Sequence, residues 1–422
     1  MKTVVLAAPR ERLAVTAWAL MANTGITSAL GLAFWALASR QYSPGQVGEG
    51  AALISLMILL STVSQLNLGM GISRLLPQFA GPRWRPIIAA YGVTAVVGAT
   101  ITVGFIGIVA HLSTGFSFLS GQHVLQLALV GAVILSNVFA LEDAVLTATH
   151  WAVLVPVTNG VFGVLKIGLM VVFADQVVKH GLFLAWLAAM AMVAVAVNWL
   201  IFAKVLRASP GDSSPRSDTH LRGRGPVARY LTTDYAAALL SQGSTALLPI
   251  LVVAILGRVE NAYFYVVFLI AGAVGSLAQS VSISLVVEGA HHEADLASLT
   301  RRSALRYVTV VGPALVALGL GAPVVLLPFG GGYVTHGTLL LRLLITAAAA
   351  HAVVVLYMAV ERVRARVSRV LAAEGVLTVL TIGGAVTGMH VDGLAGLGVA
   401  TTVAEVVVAA VVAPKLWRVI RS

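Results

Sequence analysis

The chain contains no cysteine, which removes disulfides, thiol catalysis and thiolate metal sites together. It is also poor in charge. Asp, Glu, Lys and Arg make up only 10% of its 422 residues against 59% hydrophobic, and the mean hydropathy of +0.96 excludes an ordinary water-soluble globule. No GxxxxGK[ST] loop is present, so the chain does not hydrolyse ATP by that route. GxSxG is missing as well. His291, His292 and Glu293 are consecutive, a spacing that cannot close a metal shell without other ligands. No metal and no cofactor are expected. The N-terminal MKTVVLAAPRER holds too short an apolar run for a signal peptide, so the first helix is expected to be retained.

What is abundant is long apolar sequence. Twelve stretches fill the chain, at 13–38, 48–73, 86–110, 123–148, 152–174, 182–204, 230–256, 262–287, 304–328, 335–360, 370–389 and 394–414. Each has about 20 or more mostly apolar residues, the length a helix needs to cross a hydrocarbon core. Backbone groups in that core must be satisfied within their own segment, and strands of a barrel would be shorter and alternating, so helices are predicted throughout. The fold class is an all-α polytopic membrane protein of about twelve transmembrane helices.

Of the 27 lysines and arginines, 22 fall in every second gap. The other side receives only Arg40, Lys179, Arg258 and Arg342, and Lys166 lies within a span. Under the positive-inside rule both termini are then cytoplasmic. The net charge of +11 is thereby explained by topology and anionic headgroups, and no nucleic-acid partner is implied. Gaps on the outer side are too short for an external catalytic domain, so the chain is not expected to be an enzyme.

The one long polar stretch, RASPGDSSPRSDTHLRGRGP, is too rich in Ser, Pro, Gly and Asp to fold by itself. It divides the chain into an N-terminal six-helix bundle over 1–206, a cytoplasmic linker over 207–228 and a C-terminal six-helix bundle over 229–422. The two halves resemble each other. Gly25 precedes Arg40 by 15 residues and Gly243 precedes Arg258 by 15; Gly48 precedes Gln65 by 17 and Ala262 precedes Gln279 by 17. Six crossings per half make this a parallel repeat, an arrangement in which transporters carry substrate between the halves.

Lys166, close to mid-bilayer, is the most informative residue. A lysine there costs a few kcal/mol and needs a partner or a wet cavity. Glu142 and Asp143 lie at a different depth, by roughly 12 Å. Lys166 therefore either lines an anionic substrate path or is bonded structurally to carbonyls or to Asn159. Glu142 and Asp143 are adjacent and point about 100° apart; they anchor a cytoplasmic gate, pair with a base such as Arg74, or sit as interfacial carboxylates in water. Arg40 and Arg258 either flank a cavity mouth or snorkel to headgroups. Among uncharged polar residues, Thr24, Gln65, Gln242 and Gln279 occupy repeat-matched helices and, with Asn159, are candidates for sugar hydroxyls; Asn23, Asn67, Asn137 and Asn198 serve equally as interhelical glue. Glu405, in the last span, is either a further cavity residue or equally a packing residue paired within its own half.

Three stretches carry a family resemblance: ANTGITSALGLAFWALASRQYSPGQVGEGAALISL followed by NLGMGISRLLPQ; ALEDAVLTATHWAVLVPVTNGVFGVLKIGLM; and GRVENAYFYVV. With the twelve spans and the basic linker, they make the chain resemble the oligosaccharide flippases of the polysaccharide-transporter branch of the multidrug/oligosaccharidyl-lipid/polysaccharide (MOP) exporter superfamily. The resemblance implies two pseudo-symmetric bundles in a MATE-like fold in the bacterial cytoplasmic membrane. It implies transport of a polyprenyl-pyrophosphate-linked glycan, a cell-envelope polysaccharide precursor, to the outer leaflet by alternating access. Membrane lipids and glycan-assembly enzymes are the implied partners. Lys166 would hold phosphate or sugar near the midplane, with Arg74 and Arg40 nearer the two ends. Rival readings are an ion-coupled multidrug exporter of the same superfamily, a membrane glycosyltransferase using the same lipid carrier, and a scaffold for wall enzymes.

Overall fold

The computed structural model describes residues 9–421 apart from 77–78, 80–81, 113, 150, 206–223 and 292–294. All regular structure among the described residues is helical. The order is α1 Pro9–Gln41, α2 Pro44–Ser64, α3 Leu68–Leu75, α4 Trp84–Leu112, α5 His123–Ala148, α6 Leu154–Asp175, α7 Gly181–Leu200, α8 Arg224–Leu256, α9 Arg258–His291, α10 Leu296–Arg306, α11 Gly312–Leu320, α12 Ala322–Leu326, α13 Gly331–Val363 and α14 Val367–Arg421. Nine helices among the described residues are long and apolar enough to cross a membrane. The all-α, many-spanning expectation is met.

The departures from the expected spans have local causes. The apolar stretch 48–73 is one run in sequence but breaks after Ser64, because Leu66 and Asn67 take left-handed backbone angles. The ninth stretch, expected at 304–328, begins earlier. Its helix runs from Leu296 to Leu320 through a wide π turn at Tyr307–Val311 just ahead of Pro313, whose missing N–H cannot serve the regular ladder. The break expected between 370–389 and 394–414 is found, at Asp392 and Gly393 within the 55-residue helix α14, where φ is +51° at the glycine. Two arms result, close enough that a Cβ on Gly388 would overlap the Gly396 carbonyl. Most of the expected linker lies outside the described residues; from Arg224 onward the chain is already helical, with Pro226 in the first turn, where proline is tolerated.

The chain divides into two compact units, one of residues 1–41 and 53–239, the other of 42–52 and 240–422. In unit 1 a core of Ile87, Leu141, Leu146, Val155, Val197 and Ile201 joins α4, α5, α6 and α7. Beside it Asn137 bonds Ser61 Oγ at 2.7 Å, Ser64 Oγ at 2.8 Å and the Thr94 carbonyl at 3.2 Å, tying α5 to α2 and α4. In unit 2 Val354, Val355 and Met358 of α13 pack against Leu377 and Val408 from the two arms of α14. The first turns of α2 belong to this unit. Asn261 donates to the Gly48 carbonyl at 2.8 Å, and a Cβ on Gly48 would overlap the Arg258 carbonyl, so only glycine permits the approach of α2 to α9.

Candidate functional site

Lys166 is where unit 1 concentrates its chemistry. It lies on α6 and is buried, 5% exposed. One turn earlier on that helix, Gly163 faces α1 so closely that a Cβ would come within 3.0 Å of the Leu30 Cβ. Small residues of this kind let membrane helices approach. The close approach brings Phe34, one turn beyond Leu30, onto the lysine. Lys166 Nζ stands 4.0 Å from the ring centroid of Trp186, 4.9 Å from Phe162 and 5.4 Å from Phe34. The rings brace one another edge to face, with both Phe34 and Phe162 centroids 5.5 Å from Trp186.

Among the described residues no hydrogen bond or ion pair reaches Nζ. A desolvated cation over an aromatic face gains about 2 kcal/mol, set against roughly 3 kcal/mol for a lysine at the centre of a span. The rings therefore offset much of the cost of burial. They leave the formal charge in place, which a carboxylate would have cancelled, and its field remains available to an anion.

Glu142 and Asp143 are held by other groups. Glu142, 2% exposed, accepts a hydrogen bond from Asn198 Nδ2 on α7, and Tyr91 Oη of α4 donates to Asn198 Oδ1 at 3.1 Å. Asp143 Oδ2 accepts from Asn159 Nδ2 of α6 at 3.3 Å. The two acids diverge as adjacent helical residues must, one toward α7 and the other toward α6. Glu142 is buried and Asp143 half-buried. Asn159 serves Asp143 and is not the lysine's partner; seven residues separate it from Lys166 along α6, about 10 Å of rise.

The remaining candidates are scattered. Gln65 sits at the break between α2 and α3, donating to Ser61 Oγ at 3.3 Å. Gln242 on α8 and Gln279 on α9 are exposed. Arg40 is exposed in the last turn of α1. Arg258, the first residue of α9, pairs with Glu49 at 2.8 Å. The side chains of Thr24 and Arg74 lie outside the described residues, as do His292 and Glu293. The sequence reading missed Phe34, Trp186, Tyr91 and Glu49. Phe162 was within reach of it, since Phe162 and Lys166 are i and i+4 on one helix.

No family model matches the chain, and no curated protein matches it in sequence. Solved structures do match in shape. An inward-facing multidrug resistance transporter of the MATE family, MOP superfamily, superposes with a TM-score of 0.69 at 16% identity, covering 94% of this chain and 96% of the other. The outward-facing form of a multidrug resistance MATE family transporter gives 0.57 at 15% identity over 99% and 98%. A MOP superfamily transporter from Pyrococcus furiosus, described as having a binding pocket of reversed polarity that suggests a different function, gives 0.57 at 16% identity over 99% and 97%. The chain is thus a multi-pass membrane protein of helical class with a MATE-like fold.

Proposed function

We propose that the protein is a carrier that moves a polyprenyl-pyrophosphate-linked oligosaccharide from the inner to the outer leaflet of a bacterial cytoplasmic membrane by alternating access. Lys166 carries this reading. An amine buried in a span, ringed by three aromatic faces and, among the described residues, paired with no carboxylate, suits a cargo that brings its own negative charge. Pyrophosphate supplies that charge, and a charge-assisted hydrogen bond to it is worth about 1.5–3 kcal/mol. Arg40 and Arg258 would draw the headgroup at one end of its path and Arg74 at the other, with Gln65, Gln242 and Gln279 offering amides to sugar hydroxyls. Membrane lipids surround the prenyl tail, and glycan-assembly enzymes supply and consume the cargo. The test is depletion of the protein followed by leaflet-specific labelling of lipid-linked oligosaccharide. Accumulation in the cytoplasmic leaflet is expected; accumulation outside, or in neither leaflet, overturns the reading.

A second reading is ion-coupled export of a small molecule. It is favoured by the burial of Glu142 within α5 beside Asp143, since carboxylates inside spans mark ion and proton paths. On that reading Glu142→Gln abolishes efflux of a cationic dye such as ethidium, and depletion leaves the leaflet distribution of lipid-linked glycan untouched.

A further inference from the structure

Unit 2 carries twelve lysines and arginines, and ten of them fall in 301–306, 362–369 and 415–421. A core of Leu296, Leu356, Val360, Leu416 and Val419 packs those segments together at one end of the unit. Two arginines stand apart from that end. Arg258 is paired with Glu49 at 2.8 Å. Among the described residues Arg342 pairs with no carboxylate; its side chain donates from Nε to the Gly319 carbonyl at 3.2 Å.

That contact has a cause in the sequence. Gly319 lies in the last turn of α11, and Pro323, four residues on, has no N–H to give the carbonyl that a continuous helix would satisfy there. The guanidinium supplies a donor instead and is thereby fixed against α11. A guanidinium has five N–H groups, so four remain, and Arg342 is exposed. Depth sets what they meet. Along α13, 19 residues separate Arg342 from Glu361, a buried acid that Arg369 holds at 3.3 Å at the arginine-rich end. The rise between them is about 28 Å, close to the thickness of a hydrocarbon core. The charge therefore stands at the opposite headgroup boundary, the outer one under the positive-inside rule. Beside it the surface is apolar: Leu320, next to Gly319, is 78% exposed, and Leu339, one turn before Arg342, is 56% exposed. On helices that cross a membrane such side chains face acyl chains.

We infer that Arg342, with Leu320 and Leu339, binds the phosphodiester headgroup of an anionic phospholipid in the leaflet opposite the arginine-rich end. The guanidinium forks onto phosphate oxygens, and the leucines cover the first carbons of the lipid's chains. Charge selects the headgroup. A zwitterionic lipid brings an ammonium that finds no carboxylate paired to Arg342, whereas a net negative headgroup leaves no cation over. The bound lipid lies across α11 and α13 where proline interrupts the ladder. Neither the lipid nor its site depends on which cargo the protein moves.

The chain contains no cysteine, so Val316→Cys, at an exposed position one turn before Leu320, gives the full-length protein a single thiol for a bimane label. In reconstituted vesicles, quenching by phosphatidylglycerol and by phosphatidylcholine, each with brominated chains, measures their relative binding beside Arg342. Phosphatidylglycerol should be preferred about fivefold, the equivalent of ~1 kcal/mol for one basic residue near an anionic headgroup. Arg342→Gln should bring the ratio to about one, and Arg342→Lys, which keeps the charge and loses the fork, should leave it between the two. The same label at Val379→Cys, exposed on α14, should give a ratio that Arg342→Gln does not change. Equal quenching by the two lipids with Arg342 in place, or a preference that survives Arg342→Gln, overturns the site. So does a preference abolished by sodium phosphate but not by sodium chloride of equal ionic strength, which assigns the arginine to a free anion. Should Arg342→Gln fail to insert, Arg342→Lys decides, and an undiminished ratio there overturns the forked contact.

Discussion

Lys166→Met removes a charge while keeping a flexible chain of similar length, and its effects on stability and on transport are expected to separate. Taking an amine out of mid-span recovers about 3 kcal/mol. The loss is the attraction to three rings, the nearest 4.0 Å from Nζ, together about 2 kcal/mol or somewhat more. A methionine sulfur against the same rings restores about 0.5–1 kcal/mol. The net change is within roughly 2 kcal/mol of zero and on the stabilising side, so the variant should insert at normal levels and melt in detergent no lower than the parent. Transport should behave otherwise. A lost charge-assisted contact to pyrophosphate costs about 1.5–3 kcal/mol, which is about 10- to 100-fold in rate. The assay is translocation of a prenyl-pyrophosphate-linked sugar in vesicles, read beside protein level and melting temperature. Parent-like translocation at normal protein level would refute the reasoning and assign Lys166 to packing; so would a strongly destabilised variant, since the lysine would then be needed for the fold.

Other outcomes test the frame around the site. Asn137→Ala removes three hydrogen bonds that join α5 to α2 and α4; at about 0.6 kcal/mol per interhelical bond in a membrane, the loss is about 2 kcal/mol, read as a melting temperature several degrees lower. Gly388→Ala places a Cβ against the Gly396 carbonyl, and overpacking of this kind costs about 1–3 kcal/mol; weaker protease resistance of the α14 hairpin should report it, and unaltered resistance would show that the arms can part. Arg258→Ala breaks a half-exposed ion pair with Glu49 worth at most about 1 kcal/mol. Asn261→Ala, which frees the Gly48 carbonyl from a buried bond, should cost as much or more, so the order of the two melting temperatures checks which contact holds the start of α2.

What could be read in advance follows from how each feature writes itself into the chain. A span is a run of apolar residues and a topology is a count of arginines, so the helical, many-spanning character was open to inspection; so was Lys166, because a charge in such a run stands out. Its surroundings were not. Phe34 and Trp186 are apolar residues among apolar residues, and their sequence positions say nothing of the close α1–α6 contact that Gly163 allows. The break inside the second span was equally silent: Leu66 and Asn67 turn left-handed with neither proline nor glycine at those positions.

Of the alternatives open for Lys166, a bond to Asn159 is excluded by distance along one helix. Asn159 and Lys166 are seven apart, two turns on one face and thus too far to touch, whereas Asn159 and Asp143 face each other across neighbouring helices. The same geometry joins His351 to Glu405 over 54 positions of sequence. A buried charge is legible because its position is costly; the group that makes the cost tolerable sits on another helix and becomes visible only when the helices are packed. In unit 1 that compensation is incomplete: Lys166 keeps its charge among rings. A scaffold with no ionic cargo would gain stability by losing that charge, which is why Lys166, more than the polar residues spread along the other helices, is where the proposed transport should fail first.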